Sequence, residues 1–157
     1  MDHATADAAF LARLAQLHDV DGKLELALAR TLAHFRAESG TIHRLEGGEL
    51  RLAAHSAGMP PQVLEVIRVI PVGKGMAGLA VERREPVTAC NLQTDTSGDV
   101  RPGARATGLA GSLVVPMLAG SEPVGALGIA NREERTFSEA EVELLLAAGR
   151  VLAGWSA

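Results

Sequence analysis

Ile70-Pro71-Val72-Gly73-Lys74-Gly75-Met76-Ala77-Gly78 carries the chain out of a β-branched run, through glycines, and into an apolar helical segment. Val66 to Val72 reads as a short strand, and the helix that starts near Met76 runs through about Arg84, where Pro86 ends it. Glycines let the backbone turn tightly and approach a ligand. The start of the helix presents unpaired N–H groups and about half a positive charge, which stabilises an anion such as nitrate, phosphate or carboxylate. A tight strand-to-helix turn with no ligand explains the same glycines. A phosphate-binding P-loop is excluded, because its spacing and its Gly-Lys-Ser/Thr ending are absent.

On the N-terminal side, the first 38 residues read as two helices. Phe10, Leu14 and Leu17 share one face of the first, and Leu24, Leu28, Leu32 and Phe35 form the stripe of the second, with Asp21 as its N-cap. The period then drops to two. Thr41 to Glu46 and Glu49 to Ser56 are strand-like, and Gly47-Gly48 between them is a hairpin signal. Met59-Pro60-Pro61 opens a short helix through Val66. On the C-terminal side, Val87 to Cys90 is a short strand, and Asn91 to Gly111 is a long irregular stretch of the kind that is usually functional or disordered. Ser112 to Leu118 and Pro123 to Ala130 form a second hairpin through Gly120. Ser138 with Glu141 caps a last helix whose buried face is Val142, Leu145, Leu146, Gly149 and Leu152. This order predicts one α+β domain, residues 1–157, with a central antiparallel sheet. The terminal helices would cover one face, the short central helices and long loop the other.

Composition narrows the function. The only aromatics are Phe10, Phe35, Phe137 and Trp155, so the 101 residues from Arg36 to Thr136 contain no ring to stack on a base, flavin or bilin. Net charge is −4, without the basic excess of nucleic-acid binders. Residues 66–111 nevertheless carry +2, which is either surface scatter or an anion-friendly half. The single cysteine, Cys90, excludes an internal disulfide and a Cys-rich metal site. The acidic N-terminus is no signal peptide, and no apolar run reaches the ~20 residues of a membrane span. A cytoplasmic protein that binds neither membrane nor nucleic acid is expected.

The ordered set of motifs resembles the GAF domain family over about Leu11 to Leu152. It comprises Ile70 to Gly78, Arg84-Glu85-Pro86-Val87 leading to Cys90-Asn91-Leu92, Gly111-Ser112-Leu113-Val114-Val115-Pro116-Met117, Val124-Gly125-Ala126-Leu127-Gly128-Ile129, and Asn131 with Phe137. The resemblance implies helices that dimerise on one face of the sheet and a small-molecule pocket on the other. Many members have Asp where this chain has Asn91. The Cys-Asn-Leu and Val-Arg-Pro-Gly versions are similar to bacterial nitrate-receptor GAF proteins. The cyclic-nucleotide motif is only partly matched, with Arg132 for lysine and Glu141 for aspartate.

The candidate ligand-binding residues are therefore Lys74, Gly75, Met76, Ala77, Gly78 and Leu79 at the turn, Asn91, Arg101 and Arg105 on the long loop, and Ser112. Arg101 and Arg105 could close over an anion with guanidinium donors or simply be solvated. Ser112 could turn its hydroxyl into the pocket or pack between strands. His43 and His55 are read as ordinary strand residues, because no metal-ligand spacing surrounds them. Cys90 reads as a buried small hydrophobe at a strand end, and less well as a bilin attachment point or as a nucleophile. The last would suit the methionine-sulfoxide-reducing branch of the family, but that cycle normally uses a second thiol, and none is present. No cofactor, metal or catalytic residue is expected, and the chain is expected not to be an enzyme. It reads as a sensor of a small anion, nitrate by resemblance. With no room for an output segment, it would act in trans on a sensor kinase or other signalling protein, or as a homodimer through its terminal helices. A ligand-free dimerisation unit is the remaining alternative.

Overall fold

The computed structural model describes residues 3–100 and 107–155. Helices α1 (His3–Ala15) and α2 (Lys23–Phe35) are separated by a 3-10 turn, Gln16–Asp19. The N-cap of α2 is Gly22 in the left-handed region, φ 71°, and not Asp21. Only glycine adopts that angle without strain, so the backbone and not a carboxylate sets the start of α2.

Strands β1 (Ser39–Glu46) and β2 (Glu49–His55) follow as a hairpin, with Glu46 opposite Glu49. Gly47 and Gly48 have φ of 58° and 84°, as a two-residue turn matched to strand twist requires. Helix α3 (Pro61–Ile67) extends one residue beyond the expected Val66 and shortens the next strand, β3, to Val69–Pro71. Helix α4 (Gly75–Arg83), β4 (Val87–Ala89), the hairpin of β5 (Ser112–Ala119) and β6 (Glu122–Ala130), and α5 (Glu139–Ala153) complete the order.

The fold is α+β. Among the described residues the six strands form one antiparallel sheet in the order β3-β2-β1-β6-β5-β4. Successive side chains alternate between its faces. Ile42, Leu113, Val115, Leu127 and Ile129 turn to a core shared with Phe10, Leu14 and Phe35 of α1 and α2 and with Leu145 and Leu152 of α5. Leu50, Ile70, Val87, Val114 and Ala126 turn the other way, to a smaller core with Ala80 and Val81 of α4. β5 is buried over Ser112–Leu118 because both of its faces are covered.

In α5, Leu144, Ala148 and Ala153 are buried with Leu145, Gly149 and Leu152, while Val142 and Leu146 are only partly covered. The helix is therefore rolled relative to the expected face, toward the side of Leu144 and Ala148. The capping box at its start is present, with Glu141 N–H donating to Ser138 Oγ at 3.1 Å and Ser138 N–H to Glu141 Oε1 at 2.9 Å.

Candidate functional site

A cavity of about 440 Å³ lies between the smaller-core face of the sheet, helices α3 and α4, and the described parts of the long loop. Its walls are mostly aliphatic: Val63, Val66 and Ile67 of α3, Ile70 of β3, Val114 of β5, and Leu92, Val100 and Leu109 of the loop. Polar groups are few, among them Thr41, His43, Gln62 and Ser112. Among the described lining residues Lys74 alone carries a full positive charge.

The start of α4 forms part of this wall through Lys74, Gly75, Met76 and Ala77. Lys74 is the N-cap, in extended conformation, and no side chain caps the helix. Its first-turn N–H groups and the positive end of its dipole are thus available to a negative group. Gly75 sits at φ 65°, and Gly73 N–H donates to the Gly78 carbonyl at 2.9 Å, which holds the turn shut.

The ten expected site residues divide. Lys74, Gly75, Met76, Ala77 and Ser112 line the cavity. Ser112 is buried and its hydroxyl donates to the Ile129 carbonyl at 3.2 Å. Gly78 and Leu79 lie behind the wall. Gly78 is packed so tightly that a Cβ would come within 2.5 Å of the Pro71 carbonyl oxygen, and Leu79 packs against the smaller core. Asn91 is also outside the lining. Its amide donates to Glu134 at 2.8 Å and its oxygen accepts from Gln93 N–H at 2.9 Å, so it ties the loop down. Arg101 and Arg105 lie outside the described residues.

Two expectations change. Cys90 is not buried but exposed, one residue past the end of β4 and outside the cavity lining. The shorter strand leaves its side chain at a bend, with the Thr136 hydroxyl 3.6 Å from Sγ. His43 is no ordinary strand residue. It is 2% exposed, lines the cavity, and has one ring nitrogen, Nδ1, buried without a partner. Burial pushes its pKa below the usual 6.5, outweighing the bond to the Ile67 carbonyl, so the ring is neutral at physiological pH. Period-2 placement of a histidine on the cavity face was the one available sequence signal.

Two carboxylates outside the cavity lining stay ionised. The Arg83 guanidinium grips Asp99 through two bonds of 3.0 and 3.1 Å, holds its carboxyl below the usual range, and pins the loop beside Val100. Glu141 is half-buried, which opposes its charge. The Ser138 amide and the Arg135 guanidinium at 2.6 Å more than offset this and hold its pKa down. Among the described residues no helix is long and apolar enough to cross a membrane, and no three His, Cys, Asp or Glu side chains gather as a metal site would require.

The fold recurs in solved structures. The GAF domain of a phosphoenolpyruvate-protein phosphotransferase from Coxiella burnetii superposes with a TM-score of 0.79 at 23% identity, covering 98% of this chain and 94% of that one. A free methionine-R-sulfoxide reductase from Neisseria meningitidis, in complex with its substrate, gives 0.78 at 18% identity over 99% and 90% of the two chains. A type II free methionine-R-sulfoxide reductase from Thermoplasma acidophilum gives 0.70 at 18% identity over 90% and 94%. No curated protein matches the sequence. The expectation that the chain is not an enzyme is overturned by these likenesses: the same fold, over nearly the whole chain, is that of enzymes, and so gives no ground for excluding catalysis. The GAF domain model matches residues 18–153, from the end of the 3-10 turn through α5 and across the whole sheet, and the chain belongs to the GAF domain family.

Proposed function

We propose that the chain is a regulatory ligand-binding module whose cavity takes an anionic molecule with an apolar body. The observation that carries this reading is the pairing of an uncapped α4 N-terminus beside Lys74 with aliphatic walls around about 440 Å³. Nitrate, the ligand suggested by resemblance, suits the helix start but leaves most of that volume unfilled. Pockets for small organic ligands run from about 300 Å³ upward. The oxyanion is then the head group, at Gly75 to Ala77, and the body lies against Val63, Ile67, Ile70 and Val114. The ligand shifts the population between two states that differ in partner affinity. The output surface in this reading is the layer of α1, α2 and α5, where Val20 and Leu26 near the start of α2 are 42% and 40% exposed. It docks on a sensor kinase or other signalling protein, or on a second copy. One exposed free thiol suits a cytoplasmic address.

Calorimetry on protein freed of co-purified ligand tests the reading, with nitrate, nitrite, phosphate and straight-chain carboxylates. Each added CH2 is expected to tighten binding about fourfold, from ~0.8 kcal/mol of apolar burial. No heat with any of them would sink it. Nitrate binding as tightly as the longer acids would restore the small-oxyanion version. Sedimentation with and without ligand tests the second-copy output, which a monomer in both states removes.

The fold likeness to reductases supports a second reading, in which free methionine sulfoxide is the substrate and the exposed Cys90, outside the cavity lining, is the nucleophile that meets it at the surface. With no second cysteine, an external thiol must resolve the oxidised sulfur. Turnover that disappears in Cys90→Ser supports this reading. Absence of turnover in the parent removes it.

A further inference from the structure

Gly128 is a glycine that the backbone of the fold does not require. Inside a strand, glycine weakens the sheet, and it often marks a bulge, a tight bend, or the close approach of another backbone or of a ligand. No bulge stands here. Leu127, Gly128 and Ile129 pair in unbroken register with Ile42, Thr41 and Gly40 of β1 and with Val115, Val114 and Leu113 of β5. The φ of Gly128 is outside the left-handed region, so other residues adopt the same backbone. Apart from its chain neighbours, no backbone presses on it either. A Cβ at position 128 would find its nearest such atom, the Leu113 carbonyl oxygen, at 3.9 Å. Two nearby glycines differ. A Cβ at Gly40 would stand 2.8 Å from the Gly128 carbonyl oxygen, and one at Gly125 would collide with the His43 carbonyl.

The remaining reason for a bare position is a ligand, and Gly128 lines the cavity. Its Cβ would stand 3.2 Å from a Val114 methyl and 3.5 Å from the Thr41 hydroxyl, on side chains of two other lining residues. Strand alternation puts position 128 on the same face as Ala126, which is buried with Val114 in the smaller core. A side chain at 128 would therefore rise between Thr41 and Val114 into the cavity. We propose that Gly128 is bare because the apolar body of the ligand lies on the β6 backbone at this point, so that position 128 sets the size of body the cavity accepts. The ligand class is an acid whose aliphatic body extends from the start of α4 to β6, which excludes a bare oxyanion. The inference rests on the cavity being a ligand site.

The test measures thermal unfolding and heptanoate affinity for the wild-type protein, Gly128→Ala and Gly128→Val, with NMR of the wild-type complex alongside. Gly128→Ala is expected to unfold at the same or a higher temperature, since alanine suits a strand interior better. A clear drop would make packing the reason for the glycine and overturn the proposal. Heptanoate affinity is expected to fall about fourfold in Gly128→Ala, for one displaced CH2, and about tenfold or more in Gly128→Val. Heptanoate methylene protons should show cross-relaxation with the Gly128 α-protons. Affinity within twofold of wild type in the variants, or no such contact, overturns the proposal and leaves the cavity reading standing. If the wild-type protein does not bind heptanoate, the cavity reading falls and the proposal with it. Should Gly128→Val fail to fold, Gly128→Ala and the NMR contact decide.

Discussion

At the scale of single residues, two side-chain positions show how local chemistry is overruled by neighbours. Gly78 lies inside α4, where alanine is intrinsically better by up to about 1 kcal/mol. A Cβ there would sit 2.5 Å from the Pro71 carbonyl oxygen and 3.0 Å from the Gly73 nitrogen, both backbone atoms that cannot swing away. The clash outweighs the propensity, so Gly78→Ala is expected to destabilise by about 1–3 kcal/mol in urea unfolding. An unchanged or raised midpoint would show that the turn relaxes freely. His43 provides the pH prediction. Its folded pKa lies below the unfolded value of 6.5, so the unfolded chain takes up the proton first. Stability is level above 6.5 and falls as pH drops below it, until the folded pKa is reached. Glu141, held below 4.5, adds a loss only at more acid pH. Denaturant midpoints across this range should fall more steeply for wild type than for His43→Gln. Parallel curves would remove His43 as the cause.

At the scale of elements, helix ends carry both stability and the site. The capping box at α5 satisfies two otherwise orphan donors. Arg135 then binds the capping Glu141, bonds the Asn131 side chain at 2.8 Å, and lies 4.4 Å over the Phe137 ring. Ser138→Ala is expected to cost about 1 kcal/mol, read by thermal or urea unfolding. A loss below about 0.3 kcal/mol would mean that Glu141 and Arg135 hold the helix start without it. By contrast α4 has no side-chain cap, and its first residues line the cavity. A stabilising cap was given up where a ligand is expected to supply the acceptor.

At the scale of the whole molecule, the sheet separates two cores with different tasks. Leu145 is fully buried in the helical-layer core, and Val114 is buried on the cavity face. Leu145→Ala is expected to cost about 2–5 kcal/mol in unfolding while leaving ligand affinity nearly unchanged. Val114→Ala is expected to alter affinity more than stability, measured by the same calorimetry with heptanoate. Equal loss of affinity in both variants would mean that the two faces are coupled through the strands.

Elements whose signals are local are legible in the sequence. The Gly47-Gly48 hairpin, the Ser138 and Glu141 cap, the glycine turn before α4 and the α+β order all depend on residues within a few positions of each other. Four of the expected site residues, Lys74 to Ala77, also reach the cavity, because the strand-to-helix turn places them there, and Ser112 reaches it from the start of β5. What could not be read depended on distant partners. Asn91 faces Glu134, 43 residues away, and so serves the loop. Cys90 is exposed because β4 stops at Ala89. His43 became a cavity residue through a carbonyl 24 positions later and a bulge on the neighbouring strand. Periodicity reports which face a side chain takes; burial, tautomer and unmet hydrogen bonds are decided by what the fold brings against that face.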